Sequence, residues 1–224
     1  MKGFVPTPDQ VVDGMVAKLF HGRPPGPDSM VLDPGCGTGA FVEGVARWCH
    51  GHGSSMPKVL GIESDSTHLQ EARRRVGHLQ SVTLTNEDFL AHRQGLFDYI
   101  VGNPPYVPIT GLSEDERRNY RQRYTTATGR FDLYLLFFEQ ALRLLKPGGR
   151  LVFVTPEKFL YVRTAEPLRR ALGALAVEEI HFIDESTFGD LTTYPTVTTV
   201  HNVSPRIQSR IILRDGSRSQ VRLP

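Results

Sequence analysis

The stretch "VLDPGCGTGAF", residues 31–41, joins a short aliphatic run to an amphipathic one through a turn that carries Gly35, Gly37 and Gly39. "MVLD" reads as a buried strand and "AFVEGVARWCH" as a helix. Glycines in such a corner permit a tight turn and close approach of the backbone to a ligand. The pattern is not G-x-G-x-x-G, and no Lys-Ser/Thr follows it as in a phosphate loop. Neither a dinucleotide nor a triphosphate is therefore the first ligand to expect.

Outward from this corner the chain alternates. "KVLGIE" reads as strand, "STHLQEARRRVGHL" as helix, then "SVTLT" and "FDYIVGN" as strands. Residues 113–124 form a polar helix, and 131–146 a more apolar one closed by Lys146-Pro147-Gly148-Gly149. "RLVFVTP", "VEEIHFID" and "TVTTVHNV" complete a set of seven strands. At the start, "PDQVVDGMVAKLF" spaces Val11, Val12, Met15, Val16, Leu19 and Phe20 as a helix, with Thr7 able to cap it and Pro8 in its first turn. Strands alternating with helices predict an α/β fold, a mostly parallel sheet with helices on both faces. Such sheets bind ligands at the carboxyl ends of their strands, where strand order reverses.

Acidic residues stand at three successive strand ends. Asp33 ends the first, close to where an ammonium would sit. Glu63 ends the second, with Ser64 after it, where a carboxylate can take both hydroxyls of a ribose. Asp88 follows the third, placed to accept from an adenine amino group, with Phe89 beside the ring. Together they suit a nucleoside with a cationic tail. The fourth strand ends in Asn103-Pro104-Pro105-Tyr106. Two prolines stop a buried strand because neither donates a ladder hydrogen bond. They leave an amide, a rigid backbone carbonyl and an aromatic ring at the sheet edge.

In order, "FVPTP", "LDPGCGTGAF", "GIESD", "EDF", "NPPY", "GRFDLYLLFFEQALRLLKPGGRLVFVTP" and "YPTVTTV" cover residues 4–203. On these motifs the chain resembles the S-adenosylmethionine-dependent DNA methyltransferases that modify the N6 amino group of adenine, in the class whose cofactor motif precedes the catalytic one. The resemblance implies a Rossmann-like class I methyltransferase fold with S-adenosyl-L-methionine as cofactor. It implies double-stranded DNA as partner, in a restriction-modification setting. It places Phe4 and Thr7 against the methionine end of the cofactor, and Asn103 and Pro105 beside it. The chemistry fits these residue types. The N6 lone pair is delocalised into the ring, so two acceptors, the Asn103 side-chain oxygen and the Pro104 carbonyl, can hold the two N–H groups and turn the lone pair toward the methyl. Tyr106 offers a ring face to a base that must leave the duplex to be reached. A second aromatic wall is implied late in the chain, at Phe188, with Tyr194 as the alternative.

The same tetrapeptide serves glutamine methyltransferases of release factors, since a planar amide poses the same problem. Ribosomal RNA base methylation and a non-catalytic, cofactor-dependent DNA-binding subunit are further alternatives. "FVPTP" directly before the cofactor motif, and the polar segment 107–130, favour DNA.

The bulk numbers agree with a soluble globular domain: 224 residues, 39% hydrophobic, 22% charged, net charge +2. Two cysteines exclude a disulfide framework and a four-thiolate zinc site, and no metal is expected. No apolar run suits a membrane span, and "MKGFVPTPDQ" lacks a signal-peptide core, which points to the cytoplasm. Residues 1–203 read as the catalytic domain. Residues 204–224 read as an arginine-rich hairpin turning at Asp215-Gly216, or the start of a linker. Arg206, Arg210, Arg214, Arg218 and Arg222 make that tail either a solvated face or a strip for phosphate. The resemblance implies target recognition by an additional domain or subunit, for which no segment of that size follows residue 204.

Overall fold

The computed structural model describes residues 3–188, 194–205 and 208–221. Its strands are β1 (Met30–Asp33), β2 (Lys58–Glu63), β3 (Val82–Asn86), β4 (Phe97–Gly102), β5 (Leu145–Pro156), β6 (Ala176–Phe182), β7 (Pro195–His201), β8 (Ser209–Ile212) and β9 (Arg218–Val221). They form one sheet in the order β3-β2-β1-β4-β5-β7-β6-β8-β9. Strands β1 to β5 run parallel; β7 is antiparallel to both β5 and β6. This is the seven-stranded class I methyltransferase sheet. The hairpin β8–β9 exists as expected, and it continues the same sheet because β8 pairs parallel to β6.

Helix α1 (Asp9–Phe20) precedes β1, and α2 (Ala40–Gly51) and α3 (Ser66–Val76) follow β1 and β2; α4 (Glu114–Arg123) and α5 (Leu133–Leu144) follow β4, and α6 (Glu166–Gly173) follows β5. Alternation along the strands feeds two cores. Val31, Tyr99 and Val152 join the α1 and α2 residues Val12, Val16 and Phe41 on one face. Their neighbours Leu32, Ile100 and Phe153 join Tyr134, Leu135 and Phe138 of α5 and Leu168 of α6 on the other.

Two local readings change. The run Lys146–Gly149 does not close α5 through a loop: the helix ends at Leu144 and β5 begins at Leu145. Asn202 Nδ2 holds the Leu145 and Lys146 carbonyls at 2.9 and 3.0 Å. The β4–β5 register then slips between the pairs Phe97↔Leu145 and Tyr99↔Arg150. Gly148, at φ 73°, takes the left-handed conformation this slip needs. Thr7 is not the cap of α1. Pro8 occupies the N-cap, and its carbonyl accepts from Val11 N and Val12 N. The Thr7 side chain is engaged elsewhere. Among the described residues no helix is long and apolar enough to cross a membrane.

Candidate active site

Strand order reverses between β1 and β4: the chain builds outward through β2 and β3, then returns to the other side of β1. Asp33 ends β1 and Asn103 follows β4, so both stand at this switch point. Gly102 fits there because a Cβ would lie 3.3 Å from Asp33 Oδ1 and from Pro34 Cδ.

The glycine turn is anchored by Glu63. Its carboxylate is buried and accepts from Gly37 N at 2.9 Å and from Asp65 N at 2.7 Å. Gly37 and Gly39 have φ of 52° and 87°, which side chains rarely adopt. A Cβ on Gly39 would press on Ala72 and Val76 of α3, while one on Gly37 would lie 2.5 Å from the Phe4 ring. Gly35 is less confined, its nearest neighbour being Phe137 at 3.6 Å from a built Cβ. Asp33 is buried, and neither of its oxygens has a partner of hydrogen-bond geometry. Burial first, and the Glu63 carboxylate second, push its pKa well up; the poorly aligned Gly35 amide offsets this only in part.

Two cavities flank the Asn103-Pro104-Pro105-Tyr106 tetrapeptide. One, about 400 Å³, is lined by Ser64, Asp88, Phe89, Pro105, Leu133 and Phe137, among others. Phe89 is buried against Phe137, with ring centroids 5.1 Å apart, and Asp88 Oδ1 accepts from Leu90 N at 2.9 Å. The other, about 290 Å³, is lined by Phe4, Thr7, Gly35, Thr38, Phe41 and Asn103, among others. A larger groove of about 510 Å³ between α1 and β6–β8 includes none of the expected site residues.

The N-terminal segment straps the tetrapeptide down. Asn103 Nδ2 donates to the Val5 carbonyl at 3.1 Å and to Thr7 Oγ1 at 3.0 Å. Asn103 Oδ1 is buried and has no partner. Tyr106 N donates to the Gly3 carbonyl at 3.3 Å. Gly3 has φ 79°, and a Cβ on it would strike Val107 at 2.7 Å. Pro104 and Pro105 are buried. The Tyr106 ring meets Tyr134 edge-on at 6.4 Å, and its hydroxyl reaches the Val154 carbonyl at 3.5 Å. Burial pushes the Tyr106 hydroxyl pKa up.

Most of the expected residues therefore converge; Phe188 and Tyr194 have surroundings of their own. Phe188 packs against the apolar cluster beneath α1. Tyr194 is exposed, with the Arg214 guanidinium 4.9 Å from its ring centroid. Among the described residues no ring contact joins either to Tyr106. The tail arginines are partly committed: Arg210 pairs with Glu179 and Arg214 with Glu157, while Arg206 and Arg222 lie outside the described residues. Sequence reading missed the carbonyls of Gly3 and Val5, because a backbone acceptor leaves no trace in residue type.

The residues present fit S-adenosylmethionine. One cavity is walled by aromatic rings and the other lies beside the glycine turn, so that together they can receive the two ends of such a ligand. The orphaned Asp33 carboxyl and Asn103 oxygen are polar groups awaiting a partner.

Residues 61–188 match the Eco57I restriction-modification methylase family. The chain is 33% identical over 192 residues to the type II methyltransferase M.TthHB8I of Thermus thermophilus, covering 82% of this chain and 41% of that one. It is 29% identical over 182 residues to the release factor glutamine methyltransferase of Moorella thermoacetica, covering 77% and 61%. A Listeria monocytogenes protein described as a class I S-adenosylmethionine-dependent methyltransferase shares the fold, with TM-score 0.76 and 19% identity over 92% of this chain and 64% of that one. The chain spans less than half the length of the modification methyltransferases it matches.

Proposed function

We propose that this chain, which belongs to the Eco57I restriction-modification methylase family, performs methyl transfer from S-adenosylmethionine to the N6 amino group of adenine in DNA. The observation that carries this reading is the state of Asn103. Both N–H bonds of its amide are taken, by Val5 and Thr7, and its oxygen is left buried and open. An amide held this way presents a pure acceptor in a fixed direction. A carboxylate in its place would face the Val5 carbonyl with like charge.

When bound, S-adenosylmethionine supplies a methyl group on a positively charged sulfur. The chain's own residues do the rest. Asn103 Oδ1 accepts one N6 proton in a hydrogen bond and the Pro104 carbonyl the other, which holds the nitrogen toward tetrahedral geometry so that its lone pair is withdrawn from the ring π system and directed at the methyl. Positive charge grows on that nitrogen during transfer, so both acceptors hold the transition state more tightly than the ground state. The Tyr106 ring stacks on the extruded base, a contact worth about 1–3 kcal/mol. Pro105, Phe89 and Asp88 would enclose the adenosine, with Ser64 and Glu63 toward its ribose. Phe4, Thr7 and Asp33 would face the methionine end, on a turn shaped by Gly35, Gly37 and Gly39. Phe188 or Tyr194 would supply a second wall on the other face of the base. Reading of the DNA sequence we assign to a further domain or subunit, in keeping with the greater length of the relatives.

Methylation of a release-factor glutamine is the second reading, favoured by the Moorella relative and by the same demand for paired acceptors. Labelled S-adenosylmethionine offered with duplex DNA, RNA and release factor separates the two. Label recovered as N6-methyladenine from DNA is expected. Label on protein glutamine alone overturns the DNA reading.

A further inference from the structure

Most cations of this chain are committed. Arg47, Arg75, Arg143, Arg150, Arg210 and Arg214 each pair with a carboxylate. Arg23, Arg117, Arg123 and Arg169 donate to backbone carbonyls. Among the described residues, Arg118, Arg130, Lys158 and Arg163 have no ion pair and no side-chain hydrogen bond. All four are exposed. Arg121 has only a 3.4 Å contact to the Gly129 carbonyl.

These five are neighbours through the fold. Arg118 and Arg121 lie one turn apart on α4 and line one surface hollow. Arg121 reaches Gly129, next to Arg130. A Cβ on Gly129 would lie 3.0 Å from the Thr164 methyl, and Thr128 donates to the Thr164 carbonyl, beside Arg163. Tyr161 stands between Lys158 and Arg163 and is 62% exposed. This lip follows β4 and β5, so it sits at the carboxyl edge of the sheet with Tyr106. Tyr134 links the two: it meets the Tyr106 ring at 6.4 Å, and its buried hydroxyl, which has no partner, lies near Asp132, Tyr106 and Tyr161. The acids of the region make no ion pair with the lip among the described residues: Asp132 lies near Lys158 without pairing to it, Glu157 pairs with Arg214 and Glu166 with Arg170. Glu116 is used in the α4 capping box, and Glu114, four residues before Arg118, makes no ion pair with it among the described residues.

We infer that Arg118, Arg121, Arg130, Lys158 and Arg163, with Tyr161 among them, form the surface that holds the phosphodiester backbone of the strand carrying the target base. Exposed cations interleaved with an aromatic ring are the footprint of nucleic-acid backbone contact. Elsewhere among the described residues most cations are matched with acids or carbonyls, with Arg73 and Arg74 on α3 and Arg218 on β9 the exceptions. Unmatched ones gathered at the mouth of the base pocket leave their charge for an external anion. Side chains that meet phosphate position a strand without reading its sequence. The inference rests on the DNA reading above and names the residues that carry its electrostatic part.

The test measures binding of a fluorescein-labelled duplex by anisotropy from about 50 to 200 mM salt, a range over which phosphate contacts weaken steeply. Two double variants are compared with the parent chain: Arg118→Ala/Arg163→Ala on the lip, and Arg73→Ala/Arg74→Ala on α3, which removes the same charge elsewhere. Each lost phosphate contact should flatten the slope of log affinity against log salt by about 0.9. The lip variant should therefore lose about two slope units and at least about tenfold in affinity at low salt, while the α3 variant keeps the parent slope. Calorimetry should find S-adenosylmethionine affinity unchanged in both, which shows intact folding. Equal loss in the two variants, an unchanged slope in the lip variant, or no duplex binding by the parent chain at about 50 mM salt overturns the inference. Methyl transfer to DNA by the parent, measured alongside, keeps the two levels apart. DNA labelled with the slope unmoved sinks the lip alone; glutamine labelled instead of DNA sinks the reading beneath it.

Discussion

Glu63 ends β2 and Asn103 follows β4, the strands on either side of β1, and the structure treats them oppositely. Glu63 is an acceptor whose two oxygens are already used, by Gly37 N and Asp65 N, to hold the glycine turn. Asn103 is an amide whose donors are used, by Val5 and Thr7, and whose oxygen is kept free. One group holds shape and retains lone pairs for a ligand; the other is held so that a single lone-pair direction is left for chemistry. The glycine-turn side is thus pre-built by the chain's own backbone. The Asn-Pro-Pro-Tyr side depends on a strap from the far end of the sequence.

The comparison predicts different failures. Asn103→Ala removes the open acceptor and leaves the turn alone. Single-turnover methyl transfer should fall by about 10²–10³, as for loss of one oriented transition-state partner, with S-adenosylmethionine affinity by calorimetry almost unchanged. A rate near the parent's would end the acceptor role. Glu63→Ala should fail in both respects. Two buried hydrogen bonds to a charged group are lost, each worth roughly 1.5–3 kcal/mol, so thermal unfolding should show a loss on the order of 3 kcal/mol. Cofactor affinity should drop at least about tenfold, the equivalent of one such bond. A variant that keeps its stability and loses only affinity would mean that Glu63 serves the ribose and not the turn.

The fold was legible because its signals are local. Val31-Leu32-Asp33 before the glycines, "KVLGIE" and "FDYIVGN" all carry strand patterns within a few residues, and the ends of β1, β2 and β4 match them. The Ser113/Glu116 capping box gives α4 its start. What the sequence hid is long-range. Thr7 looked like a helix cap because Thr before Pro-Asp is a good one; only the fold brings Asn103, 96 residues away, within 3.0 Å of its hydroxyl. The Gly-Gly after α5 looked like a helix stop, but the Asn202 side chain draws Leu145 and Lys146 directly into β5. That Phe188 packs under α1 likewise depends on contacts no local pattern encodes.

Thr7 acts on Asn103 from the strap. Its hydroxyl is one of two acceptors that fix the Asn103 amide. Thr7→Val keeps the shape and removes that acceptor, leaving the Val5 carbonyl to hold Asn103 alone. One ordinary hydrogen bond is worth about 1 kcal/mol, so the transfer rate should fall about fivefold to tenfold. Thr7→Ser should restore it, and in the Asn103→Ala background Thr7→Val should cost nothing more. Equal losses in both backgrounds would assign Thr7 to the cofactor directly and detach it from the amide.

The smallest effect concerns Asp33, the acid the turn leaves unsatisfied. Unfolded, this carboxyl ionises near pH 4. In the folded chain burial and Glu63 hold its pKa well above that value. The folded state then binds more protons than the unfolded one between the two pKa values. Stability must therefore fall as pH rises through that window. Asp33→Asn carries no such penalty. Its melting temperature should track the parent's at about pH 4 and exceed it by a growing margin toward neutrality, where the parent must keep a proton on a buried acid or bury its charge. Bound S-adenosylmethionine should narrow the margin, because a cation near Asp33 favours the ionised form. A margin that stays constant with pH, with or without cofactor, would mean that Asp33 finds compensation from a group other than the Gly35 amide.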